Sequence, residues 1–300
     1  MLRVRRRGMS SQSDAGGDDE LSPPPITEKR VLTLDDERFT TDNVAVVTGA
    51  ASGIGRATAI ALAVNGLTVI GLDVDEAGLD GTVETVEGLG ADGRMVAAPA
   101  DLTDDEECEA AIEAAAAEGT VRYLANIAGM QHIASIPDFP MDVYDTMLGA
   151  MLRAPFLLSK HVMPHVRATD DGVGAIGNMS SVHGRYATRD KPAYITAKHG
   201  LNGLTRSIAA EGDGTLRGFS ISAGYVLTPL MANQIADTAA ERGITEDEVI
   251  EDVMLGQART KELMMPVEVA NLFVFGFSSH ARHLNGGDLL FDGGYTKTYE

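Results

Sequence analysis

Short runs of apolar, often β-branched residues alternate with longer stretches of helical periodicity from about residue 43 onwards. The runs predict seven strands, at 44–47, 67–72, 94–98, 121–125, 175–179, 218–222 and 288–291. The stretches between them predict helices, among them 54–64, 76–89, 104–118 and 193–210. Strands separated by helices of this length are typical of a parallel sheet with helices on both faces. We therefore predict an α/β chain with one doubly wound domain over residues 43–300.

Residues 1–42 differ from the rest of the chain, since they hold few large apolar side chains and are rich in Ser, Asp and Gly. The segment also contains three consecutive prolines, Pro23, Pro24 and Pro25. Because such a segment buries little apolar surface, burial does not offset the entropy lost on ordering. We predict a flexible N-terminal tail over residues 1–42.

The acidic composition excludes two classes of protein. The 300 residues include 44 Asp and Glu against 24 Lys and Arg, so the formal net charge is -20. Basic side chains drive binding to nucleic-acid phosphates and to acidic membrane surfaces, so neither nucleic acid nor membrane is expected as a partner. No apolar run approaches the length of a membrane-spanning helix. Small molecules remain as the expected partners.

Cysteine usage points to a reducing compartment. Cys108 is the only cysteine in the sequence, so no intrachain disulfide can form. The sequence has no cluster of zinc ligands that Cys108 could join, and no metal site is expected. We therefore predict a cytoplasmic protein.

The acidic excess is spread along the whole chain, for example over 104–107 and 246–252. An ordinary solvated helix face is the alternative interpretation of each single run. A sustained acidic surface suits a protein that works in high salt, because salt screens the repulsion between like charges. The overall excess of Asp and Glu over Lys and Arg therefore predicts a halophilic protein.

A glycine-rich loop follows the first predicted strand, where the chain reads Thr-Gly-Ala-Ala-Ser-Gly-Ile-Gly over residues 48–55. Glycines here let the backbone approach a pyrophosphate, which the N-terminus of the next helix then faces. An ordinary strand-to-helix turn would be the alternative, but Asp73 ends the second strand where a carboxylate can bind the adenosine ribose. Its charge would repel a 2'-phosphate. The loop therefore predicts a Rossmann-type site for NAD rather than NADP.

Tyr194 and Lys198 lie four residues apart, and on a helix this places them on one face, one turn apart. An ammonium and the positive nicotinamide of the oxidised cofactor would stabilise a phenolate, so Tyr194 is the candidate general base. A Tyr and a Lys at this spacing also occur for purely structural reasons. Ser180 and Ser181 end a strand upstream, where a hydroxyl can hydrogen-bond the reacting oxygen.

Residues 43–300 resemble the short-chain dehydrogenase/reductase family, because the motifs of that family occur here in the same order. The motifs are the glycine loop, Asp-Leu at 101–102, Asn-x-Ala-Gly at 126–129, Ser with Tyr-x-x-x-Lys, and Asp-Gly-Gly at 292–294. The resemblance implies that Ser181, Tyr194 and Lys198 are catalytic, since the spacing to the tyrosine selects Ser181 over Ser180. It implies a homotetramer, and a small helical lid over about 228–262. It also implies that the cofactor-binding residues are Gly49, Ser52, Gly53, Ile54, Gly55, Asp73, Asp101, Leu102, Asn126, Ala128, Gly129, Tyr194, Lys198, Val226 and Thr228.

Three positions depart from the family pattern. The usual Asn-Asn-Ala-Gly has Ile127 at its second position, and the usual Pro-Gly after the sixth strand begins with Ala223. The catalytic Asn of the family, which helps to hold a water beside the active-site lysine, falls on Met151. A thioether does not replace the amide, although a backbone carbonyl at position 151 could bind the same water. These departures put the proton relay in doubt without excluding hydride transfer.

Several segments narrow the resemblance to the 3-hydroxybutyrate dehydrogenase branch, including 129–132, 181–184, 191–194 and 226–230. The resemblance maps the carboxylate-binding group of the branch onto Gln131, His183, Lys191 and Gln234, next to Ser181 and Tyr194. A cation and three hydrogen-bonding side chains can hold a small carboxylate with its β-hydroxyl beside the base. Tyr225 stands where the branch often has Trp.

We therefore predict NAD-dependent, reversible oxidation of (R)-3-hydroxybutyrate or a similar short 3-hydroxy acid to the 3-oxo acid. A 3-oxoacyl thioester reductase or a polyol dehydrogenase of the same family is the enzyme alternative. The thioester reductase would not need the carboxylate clamp and usually uses NADPH. A catalytically impaired NAD-binding regulatory or scaffold protein is the alternative of another class, indicated by Met151, Ala223 and Ile127.

Overall fold

A computed structural model describes residues 22–298, and its centre is a sheet of seven parallel strands in the order β3-β2-β1-β4-β5-β6-β7. The seven strands and the α/β class predicted from the sequence are confirmed. The strands are β1 Asn43–Thr48, β2 Thr68–Asp73, β3 Arg94–Pro99, β4 Thr120–Asn126, β5 Gly174–Met179, β6 Leu216–Ala223 and β7 Asp288–Phe291.

Helices cover both faces of the sheet. They are α1 Gly53–Val64, α2 Glu76–Leu89, α3 Asp105–Glu118, α4 Met141–Leu148, α5 Ala154–Arg167, α6 Pro192–Glu211, α7 Pro229–Arg242, α8 Glu246–Glu248 and α9 Pro266–Phe277. A π-helical turn, Gly149–Arg153, joins α4 to α5.

The central strand β1 is apolar at its four inner positions, Val44 to Val47. Successive side chains of a strand point to opposite faces, so a strand covered on both faces is a continuous apolar run. Ala45 and Val47 belong to one apolar cluster with residues of α1 and α9, whereas Val44 and Val46 belong to another with residues of α3 and α5. The alternation therefore builds two cores, one on each side of the sheet.

The chain reverses its direction across the sheet between β1 and β4. After β1 it moves outward to β3, and β4 then returns to pair with the other side of β1. Loops that leave the two strands diverge there and open a crevice at the carboxyl edge of the sheet. Both the glycine loop and the Asn-x-Ala-Gly segment lie at this point.

The segment predicted as a helical lid contains α7, α8 and the π-helical turn Val249–Met254. These elements enclose a small apolar cluster of their own, made of Met231, Ile235, Val249, Ile250, Met254, Leu255 and Ala258. A short parallel bridge between Val226 and Met264 joins the two ends of the segment. The segment is thus a separately packed unit attached at two neighbouring points.

Residues 27–42, called the strap below, correct the prediction of a flexible tail up to residue 42. Val31 and Phe39 are only 7% and 8% exposed and belong to the apolar cluster shared with α1 and α9. Phe39 also makes an edge-to-face contact with Tyr123, with ring centroids 6.0 Å apart. Two buried anchors hold the strap even though its average composition is polar. The predicted tail residues 1–21 lie outside the described part of the chain.

Hydrogen bonds fix the strap along the amino edge of the sheet, opposite the crevice. The Leu32 carbonyl accepts from Asn65 Nδ2 at 2.8 Å, just before β2. Asp36 Oδ2 accepts from the Ser279 N–H at 2.6 Å, and Arg38 donates to Asp171 before β5. The packed domain therefore begins well before residue 43.

No helix within residues 22–298 is long and apolar enough to cross a membrane. Over the same residues, no group of three or more His, Cys, Asp and Glu side chains could hold a metal ion.

We expect Phe39→Ala to lower the free energy of unfolding by about 3 kcal/mol, because it leaves a cavity where a buried aromatic ring packs. Leu32→Ala is the matched control, since that side chain lies in the same strap but is 37% exposed. Its effect should stay within about 0.5 kcal/mol. Urea denaturation of both variants measures the difference. Equal stability of Phe39→Ala and the parent would mean that the strap does not contribute to the core.

Candidate active site

A cavity of about 490 Å³ lies at the carboxyl edge of the sheet, over the reversal point between β1 and β4. Loops that follow the strands form its walls, as expected for the ligand site of an open parallel sheet. The predicted site residues that line it are Gly49, Ser52, Gly53, Ile54, Gly55, Asp73, Asp101, Leu102, Ala128, Gly129, Gln131, Ser181, His183, Lys191, Tyr194, Lys198, Val226, Thr228 and Gln234.

The backbone of the glycine loop packs so closely that a side chain would not fit at two of its positions. At Gly55 an added Cβ would come within 2.0 Å of the Gly49 carbonyl oxygen. Gly49 has φ of +70° and faces Ala128, whose Cα would lie 3.0 Å from a Cβ at position 49. The loop after β1 thus lies directly against the loop after β4, and only glycine fits at both positions.

Thr48 ties these two loops together. Its hydroxyl oxygen accepts the backbone N–H groups of Ile127 and Ala128, at 2.8 and 3.0 Å. Ser52, the N-cap of α1, makes no side-chain capping bond, so it leaves the first N–H groups of the helix available to a ligand. A helix N-terminus of this kind is suited to an anion such as a pyrophosphate.

Asp73 and Asp101 place two carboxylates at the same end of the cavity. Asp73 accepts the N–H groups of Ala51 and Asp75, at 3.1 and 3.2 Å, so backbone amides hold its orientation. Hydrogen bonds from the backbone and side chain of Thr103 keep the pKa of Asp101 below its ordinary value. A carboxylate has about four acceptor positions, so Asp73 retains capacity for hydroxyl donors.

Ser181, Tyr194 and Lys198 meet in the middle of the cavity wall. The hydroxyl oxygen of Ser181 accepts the backbone N–H of His183 at 3.1 Å, and Ser181 is also hydrogen-bonded to Tyr194. Lys198 is 3% exposed, donates to the Met179 carbonyl at 2.7 Å, and lies 5.3 Å from the centre of the Tyr194 ring. The three side chains that the sequence selected are therefore brought together.

The electrostatics of this trio differ in one respect from the prediction. Burial raises the pKa of Tyr194, and the hydrogen bond from Ser181 opposes that rise only in part. Burial lowers the pKa of Lys198 to about 8, because a desolvated ammonium loses hydration. In the protein by itself Lys198 does not bring the Tyr194 pKa below its ordinary value, so a phenolate needs further positive charge nearby.

The cavity is also lined by the four residues predicted to bind a carboxylate, Gln131, His183, Lys191 and Gln234. His183 is 6% exposed, and burial together with the charge of Lys191 lowers its pKa to about 4. His183 is therefore neutral at neutral pH. Burial also lowers the pKa of Lys191. The Oε1 atom of Gln131 is buried with no partner among the described residues.

Met151 lies in the π-helical turn between α4 and α5. It is 1% exposed and packs with Met147, Ala193 and Ala197. A Cβ atom added at Gly129 would lie 3.7 Å from Met151 Sδ and 4.0 Å from Lys198 Nζ. An apolar thioether therefore stands near the lysine, in the region where the family pattern has an amide.

Asn126 is the one predicted site residue that does not line the cavity. Its side chain is 3% exposed and donates to Asn178 Oδ1 at 2.8 Å, and Asn178 in turn donates to Thr205. This chain of polar groups links β4, β5 and α6 below the cavity floor. The cofactor contact of Asn126 stays a prediction, since its Nδ2 is bonded within the sheet while its Oδ1 is buried with no partner among the described residues.

Sequence reasoning missed Thr48, Tyr186 and Thr188 as supporting residues. Thr48 could have been found from its place directly before the glycine loop. Tyr186 and Thr188 stand in a loop without periodicity, and only the folded chain brings them to His183.

Residues 49–296 match the family model described as "Enoyl-(Acyl carrier protein) reductase". The D-beta-hydroxybutyrate dehydrogenase of Rhizobium meliloti (strain 1021) is 36% identical over 258 residues, covering 84% of this chain and 98% of the relative. The enzyme of the same name from Cupriavidus necator is 33% identical over 253 residues, covering 84% and 96%.

Two solved structures show the same architecture. The crystal structure of levodione reductase has a TM-score of 0.79 at 29% identity, and covers 87% of this chain and 100% of its own. L-sorbose reductase from Gluconobacter frateurii, complexed with NADPH and L-sorbose, has a TM-score of 0.80 at 25% identity and covers 87% and 98%. The family match over residues 49–296 includes strands β2 to β7 and the helix with Tyr194 and Lys198. The chain therefore belongs to the short-chain dehydrogenase/reductase family of oxidoreductases, as predicted, and is similar to its 3-hydroxybutyrate dehydrogenase branch.

Proposed function

We propose that this protein reversibly oxidises (R)-3-hydroxybutyrate, or a similar short 3-hydroxy acid, to the 3-oxo acid with NAD. One observation carries the proposal: the half-buried Lys191, a neutral histidine and two glutamines line the same cavity as Tyr194. A neutral alcohol would leave these groups without a charged partner. A short hydroxy acid supplies both a carboxylate for them and a hydroxyl for the tyrosine.

The carboxylate would be held mainly by charge. Lys191 is the cation, and its lowered pKa means that an anion beside it restores stabilisation of the ammonium. Neutral His183 and the amides of Gln131 and Gln234 then contribute hydrogen bonds that fix the direction of the acid. We propose that α7, which carries Gln234, is the lid that closes over the bound acid.

Ser181 and Tyr194 would act on the substrate hydroxyl. The Ser181 oxygen accepts from the His183 N–H, so the Ser181 hydroxyl proton remains available and would be donated to the substrate oxygen in place of Tyr194. In this mechanism Tyr194 accepts the hydroxyl proton, and Ser181 orients the reacting oxygen. Lys198 supplies positive charge next to the tyrosine and donates to a ribose hydroxyl.

Another set of residues that line the cavity fits a dinucleotide. Glycine positions that admit no Cβ, free N–H groups at the start of α1, and the carboxylate of Asp73 form its cradle. When bound, the nicotinamide supplies the hydride acceptor and a positive charge near Tyr194. We propose NAD rather than NADP, because Asp73 would accept from two ribose hydroxyls but repel a 2'-phosphate.

A catalytically impaired NAD-binding regulatory or scaffold protein is the second candidate, favoured by the thioether of Met151 beside Lys198. A 3-oxoacyl thioester reductase or a polyol dehydrogenase is the other enzyme candidate, and neither would need the charge of Lys191. We further propose that the protein is a cytoplasmic homotetramer adapted to high salt, on the basis of its family and its net charge of -20.

We expect the protein to reduce NAD with (R)-3-hydroxybutyrate, and Tyr194→Phe to lower kcat by about 10²- to 10⁴-fold through loss of the general base. NADH absorbance measures both, at low and at high salt. Tyr144→Phe is the control, since it removes a phenol hydroxyl from a tyrosine that does not line the cavity. Turnover of polyols or thioesters alone would support those enzymes instead, and NAD binding without any turnover would support the scaffold.

We expect Asp73→Ser to reduce the preference for NAD over NADP by about tenfold or more, because it removes both a charged acceptor and a repulsive charge. The ratio of kcat/KM for the two cofactors measures this preference. Asp80→Ser is the matched control, since it makes the same charge change on an exposed position of α2. An unchanged ratio, or an equal change in both variants, would contradict the assigned role of Asp73.

A further inference from the structure

Two residues outside the predicted site determine how His183 faces the cavity. His183 lies in the single helical turn Val182–Gly184, directly after β5, and its side chain is 6% exposed. The backbone of this turn is fixed, since the His183 N–H donates to Ser181 and the Gly184 carbonyl accepts from Asn202. The imidazole itself has contacts on its edge and on its face.

Thr188 contacts the edge of the imidazole. Its hydroxyl oxygen lies 3.1 Å from His183 Nε2, and Nδ1 has no hydrogen-bond partner among the described residues. The Nε2–Thr188 contact allows two arrangements, because a hydroxyl can either donate or accept. If the hydroxyl accepts a hydrogen bond from Nε2–H, Nδ1 is unprotonated and presents a lone pair. If the hydroxyl donates to Nε2, Nδ1 carries the proton and becomes a donor.

Only one of these two arrangements favours binding of a ligand carboxylate. A lone pair on Nδ1 would repel an anion, whereas an N–H would bind it. His183 is neutral at neutral pH, since burial and the charge of Lys191 lower its pKa to about 4. Protonation of the whole ring therefore does not provide the second donor. The tautomer has to provide it, and the group bonded to the opposite nitrogen sets the tautomer.

Tyr186 covers the face of the imidazole. The two ring centroids are 5.2 Å apart with an interplanar angle of 34°, while Tyr194 meets His183 edge to face at 5.9 Å. Tyr186 is itself stacked on Tyr295, at 6.1 Å and 25°, and Tyr295 packs against Tyr225 of the cavity wall. Tyr295 follows the turn at Asp292, whose carboxylate accepts from Gly294 and Thr296. The imidazole plane is thus held between the catalytic tyrosine and a fixed aromatic row.

We propose that Thr188 and Tyr186 are positioning residues: Thr188 donates to Nε2 and so makes Nδ1 of His183 a donor to the substrate carboxylate, and the Tyr186 ring fixes the imidazole plane. Neither residue touches the substrate. The proposal specifies the substrate selectivity of the site, and it rests on the proposed oxidation of a hydroxy acid.

Kinetics of Thr188→Val and Thr188→Ser test the tautomer. Valine keeps the shape but not the hydroxyl, so KM for (R)-3-hydroxybutyrate should rise about tenfold or more, as when a hydrogen bond to a charged group is lost. KM for NAD and kcat should remain within about twofold. Serine keeps the hydroxyl, so Thr188→Ser should restore the KM of the parent. Parent-like KM in Thr188→Val, or equal changes in both KM values and kcat, would overturn the role of Thr188.

The pair Tyr186→Phe and Tyr186→Ala tests the ring contact. Phenylalanine keeps the stacked face, so Tyr186→Phe should keep the KM for the acid. Tyr186→Ala should raise it about tenfold, without a matching change in KM for NAD. Loss of acid binding in Tyr186→Phe as well would assign the effect to the hydroxyl and overturn the packing role.

A direct reading of the tautomer separates this proposal from the proposed function. The ¹⁵N spectrum of histidine-labelled protein, with the His183 signals identified by their absence in His183→Gln, reports which ring nitrogen is protonated. Protonated Nδ1 in the parent and loss of that preference in Thr188→Val support the proposal even if the acid is not a substrate. Protonated Nε2 in the parent overturns it, whereas lack of turnover of every hydroxy acid overturns only the proposed function.

Discussion

The contact between the loops after β1 and β4 is the constraint on which the site depends. Gly49 and Gly55 let the backbone fold onto itself and onto Ala128, at distances that exclude a side chain. The Thr48 hydroxyl then bonds two successive N–H groups of the β4 loop. These contacts hold the reversal point of the sheet in one geometry. Every wall of the cavity is attached, through a strand of the same sheet, to that fixed point.

Charge inside the cavity is balanced, although the protein as a whole is acidic. The sequence carries a formal net charge of -20, whereas the cavity is lined by Lys191 and Lys198 as well as by Asp73 and Asp101. Lys198 is only 3% exposed, so the field of its ammonium group acts over a short range at higher strength than in water. Salt screens the repulsion between surface charges far more than it screens the field of a buried ammonium.

Regular elements could be predicted because their signals are local. The run 44–47 at the centre of β1 is apolar at every position, and the glycines that follow it mark the turn, so both the type and the position of this element followed from the sequence. The strap was mispredicted because an average over 42 residues hides two anchors, Val31 and Phe39, whose partners lie far away in the chain. Composition indicates how much apolar surface a segment can bury, but not where in the folded chain a single aromatic ring packs.

The site was predictable to the extent that family motifs record it. Ser181, Tyr194 and Lys198 converge as their spacing indicates. Asn126 belongs to a family motif as well, but it does not line the cavity, and its Nδ2 donates to Asn178 on the neighbouring strand. The pKa of Tyr194 could not be derived from its spacing to Lys198, since desolvation depends on packing around the phenol. The contact of Thr188 with His183 has no sequence signal, because Thr188 lies in an irregular loop and His183 in a single helical turn.

The strap also decides which end of the protein is free for attachment. It runs along the amino edge of the sheet, from Asn271 and Asn65 to Asp171, and the cavity opens at the carboxyl edge. A fusion partner, an affinity tag or a solid support joined before the strap meets the protein on the side away from the cavity. Immobilisation through the N-terminal side therefore leaves the path of small molecules to the cavity open.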